Sequence, residues 1–387
     1  MNLEKSKILS VLPLLGHPRD SKRITMLQQA GFAVEAVAFE REHHSGRLPD
    51  CPVERLVKIA HGHYLQRAIK IITVLPAIRR AIRRNHIVYT SGPDMALTAL
   101  IAGLGLGRPV ILEVGDIQRA QVSSGFRGRL TRLLERHTVN AIRLLVVTAP
   151  GLVDGYYRKW LKTKTPALVL ENKLEEPEAG ADYNEVCVRL EGTPLVDNPL
   201  RIGYFGVLRC DWSWRVLEAI ALSRPSEVEI VVAGYPISPV DIPARAEKLD
   251  NVKYLGEYRS PQDLPKLYGN IDLVWACYPP PEVSDPNWRW AQSMCRSNRF
   301  YDSCFFKKPI ISVVGSGDAS EVERYDIGMI ISDQRAEAVV DALSGISLDD
   351  LARWQENLSM IPREVYMYTT ETDELKSALE GIAQKHF

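Results

Sequence analysis

Four apolar runs in the second half of the chain end in residues suited to a phosphorylated ligand. The first closes with Gly203-Tyr204-Phe205-Gly206-Val207-Leu208-Arg209. Glycine at a strand end lets a phosphate approach the backbone. Arg209 adds a forked, permanently charged donor that fits a diphosphate. The same residues also read as a tight turn with a surface arginine. Gly234-Tyr235-Pro236 and Gly256-Glu257-Tyr258 close two further apolar runs. Tyr235, Glu257 and Tyr258 therefore fall on the same rim, where an aromatic ring stacks on a base or simply packs. The fourth segment runs from Ser297 to Ile311 and opens with Asn298-Arg299-Phe300-Tyr301-Asp302. Asn298 is read as the cap of a helix whose dipole favours phosphate at its N-terminus. Asp302, four residues on, shares the Asn298 face and offers a carboxylate for two ribose hydroxyls.

Several other chemistries lack their residues. There is no G-x-x-x-x-G-K-[ST], H-E-x-x-H or G-x-S-x-G, and no dinucleotide fingerprint follows the first strand. Gly103-Leu104-Gly105-Leu106-Gly107 ends a helix and precedes a strand, so it reads as a C-cap and turn. His43-His44 and His61-Gly62-His63 have no cysteine or carboxylate frame and read as surface histidines rather than metal ligands.

The elements that must position these residues alternate. In the first half, Lys7–Leu15, Phe32–Phe39, His86–Thr90, Pro109–Val114, Leu144–Val147 and Ala167–Leu170 read as strands, with helical stretches between them. Glu171–Asn198 is acidic, proline-containing and without a period. The alternation then restarts, with strands at Leu200–Val207, Glu229–Ala233, Val252–Leu255, Ile271–Ala276, Pro309–Val314 and Gly328–Ile331. The expected fold is α/β: two Rossmann-like domains with parallel sheets, their strand-end loops facing a central cleft. The boundaries expected are residues 1–172, a linker over 173–198, a second domain over 199–365, and a C-terminal helix in 366–387 that packs back on the first domain.

Composition is that of a globular protein: 387 residues, 45% hydrophobic and 25% charged, with 48 Lys+Arg against 48 Asp+Glu. The balance is an average over unlike halves. Residues 1–170 carry 26 Lys+Arg and 12 Asp+Glu, and the remainder carries 22 and 36. Six dispersed cysteines without a C-x-x-C pair suit reduced thiols in a cytosol. No run approaches the roughly 20 apolar residues of a bilayer span.

The motifs of the second half resemble those of GT-B-fold glycosyltransferases, most nearly the retaining, metal-independent glycosyltransferase family 4 and its relatives. Asn298-Arg299-Phe300-Tyr301-Asp302 through Lys308-Pro309-Ile310-Ile311 is similar to the family's N-K-L-x-E to G-K-P-V-I segment. Gly206 and Arg209 resemble its G-R phosphate loop, Asn251–Gly256 its N-V-x-F-L-G strand, and Gly315–Gly328 its glycine loop. The departures are specific. The first glutamate of the family's E-x7-E pair is Met294, the second is Asp302, and the glycine of G-K-P is Lys307. Glu282 and Asp285 lie nearby but off spacing.

The resemblance implies a glycosyltransferase of the hexosyltransferase class. Its donor is a nucleotide-diphosphate sugar, with Arg209 and Arg299 offsetting leaving-group charge in place of a metal, and no cofactor. It further implies that the first half binds the acceptor. Gly16-His17-Pro18-Arg19-Asp20 looks like the family's D-P-R loop, so Gly16 and Arg19 reach the donor phosphates. Glu113-Val114-Gly115-Asp116 resembles an E-x-H-D element, with Gly115 in place of the histidine. Asp116 and Glu113 are the candidates to orient an acceptor hydroxyl or act as base.

The basic stretch between Glu54 and Asp94, with Arg79, Arg80, Arg83 and Arg84, is expected to face an anionic membrane or to pack its apolar side and solvate its charges. So is the stretch Arg127–Arg136. The acceptor is then a lipid-linked or membrane-associated glycan in polysaccharide or glycolipid synthesis. It is met at the cytoplasmic face of the membrane, and nucleic acid is not a partner. The alternative is a catalytically decayed GT-B-like nucleotide- or sugar-binding subunit, and a hexose-epimerase-like enzyme is a third reading.

Overall fold

The computed structural model describes residues 6–40, 48–58, 64–175, 199–278 and 286–386. The chain divides into two units, Met1–Asn172 with Thr369–Phe387, and Lys173–Tyr368. Of the residues read as linker, 173–198, those from 176 to 198 lie outside the described ones, as do the four histidines above, Glu282 and Asp285.

Unit 1 is built on seven parallel strands: β1 (Lys7–Leu12), β2 (Ala33–Glu40), β3 (Val53–Lys58), β4 (Ile87–Ser91), β5 (Val110–Val114), β6 (Leu144–Val147) and β7 (Ala167–Val169). Their order across the sheet is β3-β2-β1-β4-β5-β6-β7. The chain winds outward from β1, then returns to lay β4 on its other side. The carboxyl ends of β1 and β4 therefore flank a topological switch point, where open parallel sheets bind ligands. The central strands are buried along their whole length and mostly apolar, as expected of strands covered on both faces.

The helices of this unit are α1 (Pro18–Gln29), α2 (Tyr64–Arg84), α3 (Pro93–Ala102), α4 (Arg119–Val122) and α5 (Phe126–Ala141). A wide π-type helix covers Leu152–Trp160, the Leu161 amide reaching back to the Tyr156 carbonyl at 2.8 Å. The sequence reading leaves β3 unassigned: Val53–Lys58 is a partly exposed edge strand with charges on it, so it lacks the apolar signal. Gly103 ends α3 and the following glycines take positive φ, as a C-cap and turn require.

Unit 2 repeats the plan with β8 (Leu200–Leu208), β9 (Val228–Pro236), β10 (Val252–Tyr254), β11 (Leu273–Trp275), β12 (Ile310–Val313) and β13 (Gly328–Ile331), ordered β10-β9-β8-β11-β12-β13. Its switch point lies between β8 and β11. Its helices are α6 (Asp211–Ser223), α7 (Ile242–Ala246), α8 (Leu264–Gly269), α9 (Pro286–Gln292), α10 (Asn298–Phe306), α11 (Ala319–Tyr325), α12 (Ala336–Ser344) and α13 (Leu348–Met360). Two apolar layers, one centred on Trp214, Trp275 and Ile230 and one on Phe205, Tyr268 and Phe300, cover the sheet.

The chain then returns. α14 (Glu371–His386) belongs to unit 1, where it meets α1 and buries Leu375 and Leu379 completely. Among the described residues no helix is long and apolar enough to cross a membrane.

Two expectations about helices change. Ser297, in extended conformation, is the N-cap of α10, and Asn298 is its first helical residue. The Ser297 amide and hydroxyl both donate to buried Asp318, at 2.8 and 2.6 Å, which fixes the entry of the chain. The second change concerns α5. It does not pack its leucines on the sheet, because Gly128, Glu135, Thr138 and Val139 form its buried side.

Candidate functional site

Unit 2 gathers its strand-end residues around three glycines. Gly206 of β8 is in register with Gly234 of β9, and the Gly234 amide donates to the Gly256 carbonyl at 2.8 Å. Gly234 has φ of +136° and sits so close to its neighbour that a Cβ would lie 1.7 Å from the Gly206 carbonyl oxygen. No other residue fits there, so the rim of β8, β9 and β10 is bare backbone, as an approaching phosphate requires.

Arg299, in the first turn of α10, is aimed at this rim. Its Nη2 donates to the Phe205 carbonyl and stands 2.5 Å from where a Gly206 Cβ would be. The guanidinium carbon lies 4.7 Å from the centre of the Tyr278 ring, beyond β11. Its Nε is buried without a hydrogen-bond partner. The Tyr258 hydroxyl also lies near the Gly206 position, 3.8 Å from where a Cβ would be. Burial pushes the Tyr258 phenol up to about 12, so it stays neutral beside the arginine. A half-buried guanidinium beside aromatic rings is a cation held at fixed position in low dielectric, with the chemistry that suits an anion.

The other residues read from the sequence take different places. Arg209 is exposed, with no hydrogen bond or ion pair to the described residues, at the end of β8. Tyr235 is 57% exposed and Glu257 is exposed on the same rim. Asn298 is exposed at the start of α10. Asp302 is buried, and its Oδ2 accepts the Tyr268 hydroxyl at 3.0 Å. Lys307 stands where the family has glycine and adopts the left-handed φ of 55°. Its Nζ donates to the Leu358 carbonyl at 2.8 Å and lies over the Tyr366 ring. Asp318, which sequence reasoning missed, is held by Ser297 and pushed up to about 6 by burial. Tyr278 was missed too; nothing in its local sequence separates it from a packing aromatic.

Unit 1 has its own cluster at the carboxyl ends of β1, β4 and β5. Gly16 turns the chain with φ of +84°, and α1 begins at Pro18. The Arg19 guanidinium comes to rest over Gly115, where a Cβ would stand 1.3 Å from Nη1. Gly115 is therefore the space that Arg19 fills, which gives a reason for the departure from the family's histidine. Arg19 Nη1 lies 3.8 Å from Asp116, whose side chain is 63% exposed.

Glu113 is buried below them, and both its oxygens are occupied. Arg23 donates from Nε at 2.9 Å and Nη2 at 3.1 Å, and the Tyr89 hydroxyl at 2.6 Å. Burial favours protonation of Glu113, but the charge and hydrogen bonds of Arg23 outweigh it and hold the pKa below the ordinary value. Asp20 is also buried and accepts the Ser91 hydroxyl at 2.7 Å. Its Oδ2 makes no hydrogen bond and lies 3.6 Å from His17 Nδ1. Burial pushes Asp20 up to about 6.

The four arginines of α2 are not equivalent. Arg79 is spent inside the fold, donating to the carbonyls of Ala102 and Leu104 at 2.7 and 2.8 Å. Arg84 pairs with Glu35 and Glu54, while Arg80 and Arg83 are exposed.

Comparison with known proteins agrees with this architecture. A Glycosyl transferase 4-like domain matches residues 24–173. The chain is 24% identical over 362 residues to the succinoglycan biosynthesis protein ExoL of Rhizobium meliloti (strain 1021), covering 91% of this chain and 88% of that one. Among solved structures, HepE of Anabaena in complex with UDP-glucose superposes with a TM-score of 0.68 at 15% identity, over 97% of this chain and 99% of that one. WaaG, a glycosyltransferase involved in lipopolysaccharide biosynthesis, gives a TM-score of 0.64 at 16% identity, over 96% and 98% of the two chains. With two parallel Rossmann-like sheets and a glycosyl transferase 4-like domain in its first unit, the chain is a glycosyltransferase with the GT-B fold.

Proposed function

We propose that the protein transfers a sugar from a nucleotide-diphosphate sugar to a membrane-associated or lipid-linked glycan, with retention and without a metal, in the synthesis of a surface polysaccharide or glycolipid. The observation that carries the reading is Arg299, fixed by Phe205 and Tyr278 over the bare glycine rim. The donor diphosphate lies along Gly206, Gly234 and Gly256. Arg299 and the exposed Arg209 offset the charge that develops on the leaving diphosphate, a service that a divalent cation performs elsewhere. Tyr235, Glu257 and Tyr258 receive the base, and Asp302, steadied by Tyr268, receives the ribose.

In unit 1, Asp116 orients the acceptor hydroxyl and Gly16 with Arg19 meets the donor phosphates. Glu113 serves as the anchor that holds Arg23 and Tyr89 rather than as a free base, because its carboxylate is already fully engaged. The reaction takes place on the cytoplasmic side, with no cofactor beyond the donor itself. The name of the ExoL relative supports a role in polysaccharide synthesis, and the HepE complex puts UDP-glucose first among donors to try.

The test is a thermal-shift and turnover screen with UDP-, GDP-, ADP- and CDP-sugars, with and without EDTA. One donor should raise the Tm and be turned over equally in both buffers. Arg299→Lys, which keeps the charge and loses the fork, should weaken that donor about ten-fold or more. A panel in which no nucleotide sugar shifts the Tm or is consumed would overturn the reading.

A further inference from the structure

The turn that carries Asp116 spans residues 115–118, between the end of β5 and the start of α4. It belongs to no strand or helix, yet it is fixed at both ends. The Thr148 hydroxyl, just beyond β6, donates to the Gly115 carbonyl at 2.7 Å. The Gln118 amide donates to Gln121 Oε1 at 2.5 Å. Between these two points Ile117 is buried and the Asp116 side chain stands out into solvent.

Gln121 is itself buried, and both ends of its carboxamide are used. The Gln118 backbone N–H needs an acceptor and the Glu135 carboxylate needs a donor, so one orientation of the amide serves both. Its Nε2 donates to Glu135 Oε1 at 2.8 Å. Glu135, on α5, accepts the Tyr157 hydroxyl on the same oxygen at 2.9 Å and the Tyr156 hydroxyl on Oε2 at 2.7 Å. Two successive tyrosines reach one carboxylate because they sit in the wide helix Leu152–Trp160. Its larger number of residues per turn brings neighbouring side chains closer in direction than the about 100° of an α-helix.

A ladder of hydrogen bonds thus runs from the turn, through Gln121 and Glu135, to two fully buried phenols. Two further contacts tie α4 to α5. Arg132 donates to the carbonyls of Gln121 and Ser123 at 3.0 and 2.7 Å. Gly128 lies so near Ser123 that a Cβ would stand 2.2 Å from its carbonyl oxygen. A buried network with every member satisfied specifies one arrangement. A buried glutamate is a costly way to join two helices, which apolar side chains do without desolvating a charge. What an apolar pair does not supply is a hydrogen bond aimed back at the turn.

We propose that Gln121 and Glu135 are positioning residues for the transfer reaction, holding the 115–118 backbone so that Asp116 meets the acceptor hydroxyl at a fixed point. The purpose rests on the proposed role of Asp116, whereas the strap itself does not. Neither residue touches substrate. Their effect is on placement, and a misplacement of about 1 Å costs on the order of 10²-fold in rate.

Gln121→Met keeps the volume and removes both hydrogen bonds. In the full-length protein, without donor or acceptor, the peptide of residues 115–121 should exchange its amide hydrogens about ten-fold faster or more in this variant than in the parent. Turnover is then measured with the nucleotide sugar that raises the Tm, and with a membrane lipid extract of the source cells as acceptor probe. Gln121→Met should lower kcat by about ten-fold or more at unchanged donor KM. It should lower kcat no further in a chain that also carries Asp116→Asn, because it acts through that carboxylate. Glu135→Gln, which retains an oxygen to accept from Gln121, should stay close to the parent.

An unchanged exchange rate overturns the inference, as does a loss of kcat that is as large beside Asp116→Asn as in the parent. So does a weakened donor thermal shift in Gln121→Met, the mark of general damage. A parent chain that consumes no nucleotide sugar fails the proposed function itself, and that result is read before any variant is compared.

Discussion

Single residues in both units are explained by what a neighbour needs. Gly115 is small because Arg19 occupies its side-chain space. The guanidinium is the far end of a flexible chain, so Gly115→Ala can be accommodated by pushing it aside. Stability should change by less than about 0.5 kcal/mol, while kcat/KM falls about ten-fold or more through lost positioning. Steady-state kinetics beside a urea titration would check this, and a loss of stability in step with activity would contradict it. Gly234→Ala is the opposite case, because its Cβ meets backbone at a φ of +136°. It should destabilise unit 2 by more than about 2 kcal/mol, measured as a fall in the urea midpoint.

The buried acids give a pH signature. Asp20 and Asp318 are both raised to about 6 by burial, so the folded state holds protons that the unfolded state has released. Their contribution to stability is present at low pH and falls as pH rises from about 4 to 6. Glu113, held low by Arg23, runs the other way, and its contribution is lost as pH falls below the ordinary carboxylate range. Asp318→Asn should therefore gain on the parent by on the order of 2–3 kcal/mol across that window. Urea midpoints at several pH values measure the gain, and a constant difference would refute it.

These identities were only partly legible in the sequence. The glycine ends, Arg209, Arg299 and Asp116 announce themselves by type and place. Tyr278, Asp318 and Arg23 do not, because their roles come from elements distant in sequence.

At the scale of elements, the sequence was most legible where strands are buried on both faces. Nearly every central strand is a short apolar, β-branched run closed by glycine or proline. Legibility failed at β3, an edge strand carrying Glu54, Arg55 and Lys58, and at the caps. Asn298 is a good N-cap by type, but Ser297 takes the position because Asp318 holds both its amide and its hydroxyl.

Helix α5 is instructive. Helical spacing of Leu130, Leu133 and Leu134 serves a membrane face as well as a core face, and periodicity alone does not say which face turns inward. The inner face is set instead by Glu135 and two tyrosines. Glu135→Ala leaves the buried hydroxyls of Tyr156 and Tyr157 without their acceptor, and should cost about 2–4 kcal/mol. A denaturant titration would register this, and a near-neutral result would mean that the polar layer does not hold the helix.

The whole molecule is two parallel α/β units whose opposite charges cancel on average. One unit is continuous in sequence, Lys173–Tyr368, and the other is closed by Thr369–Phe387. A chain ending at Tyr368 would keep unit 2 and lack the helix that packs on α1. Calorimetry of that truncation should show one transition retained and the other lowered or lost. Two unchanged transitions would show α14 to be dispensable.

The return of α14 also orders events during synthesis. Translation delivers residues at roughly 5–20 per second from the N-terminus, so β1 through β7 emerge first, yet their unit is finished last. Unit 2 has its entire sequence before α14 is made. For the time it takes to translate some two hundred residues, the nascent first unit leaves uncovered the surface by α1 that α14 later buries. The unit begun first is thus the one that waits, and the synthesis of α14, rather than the appearance of its own strands, completes it.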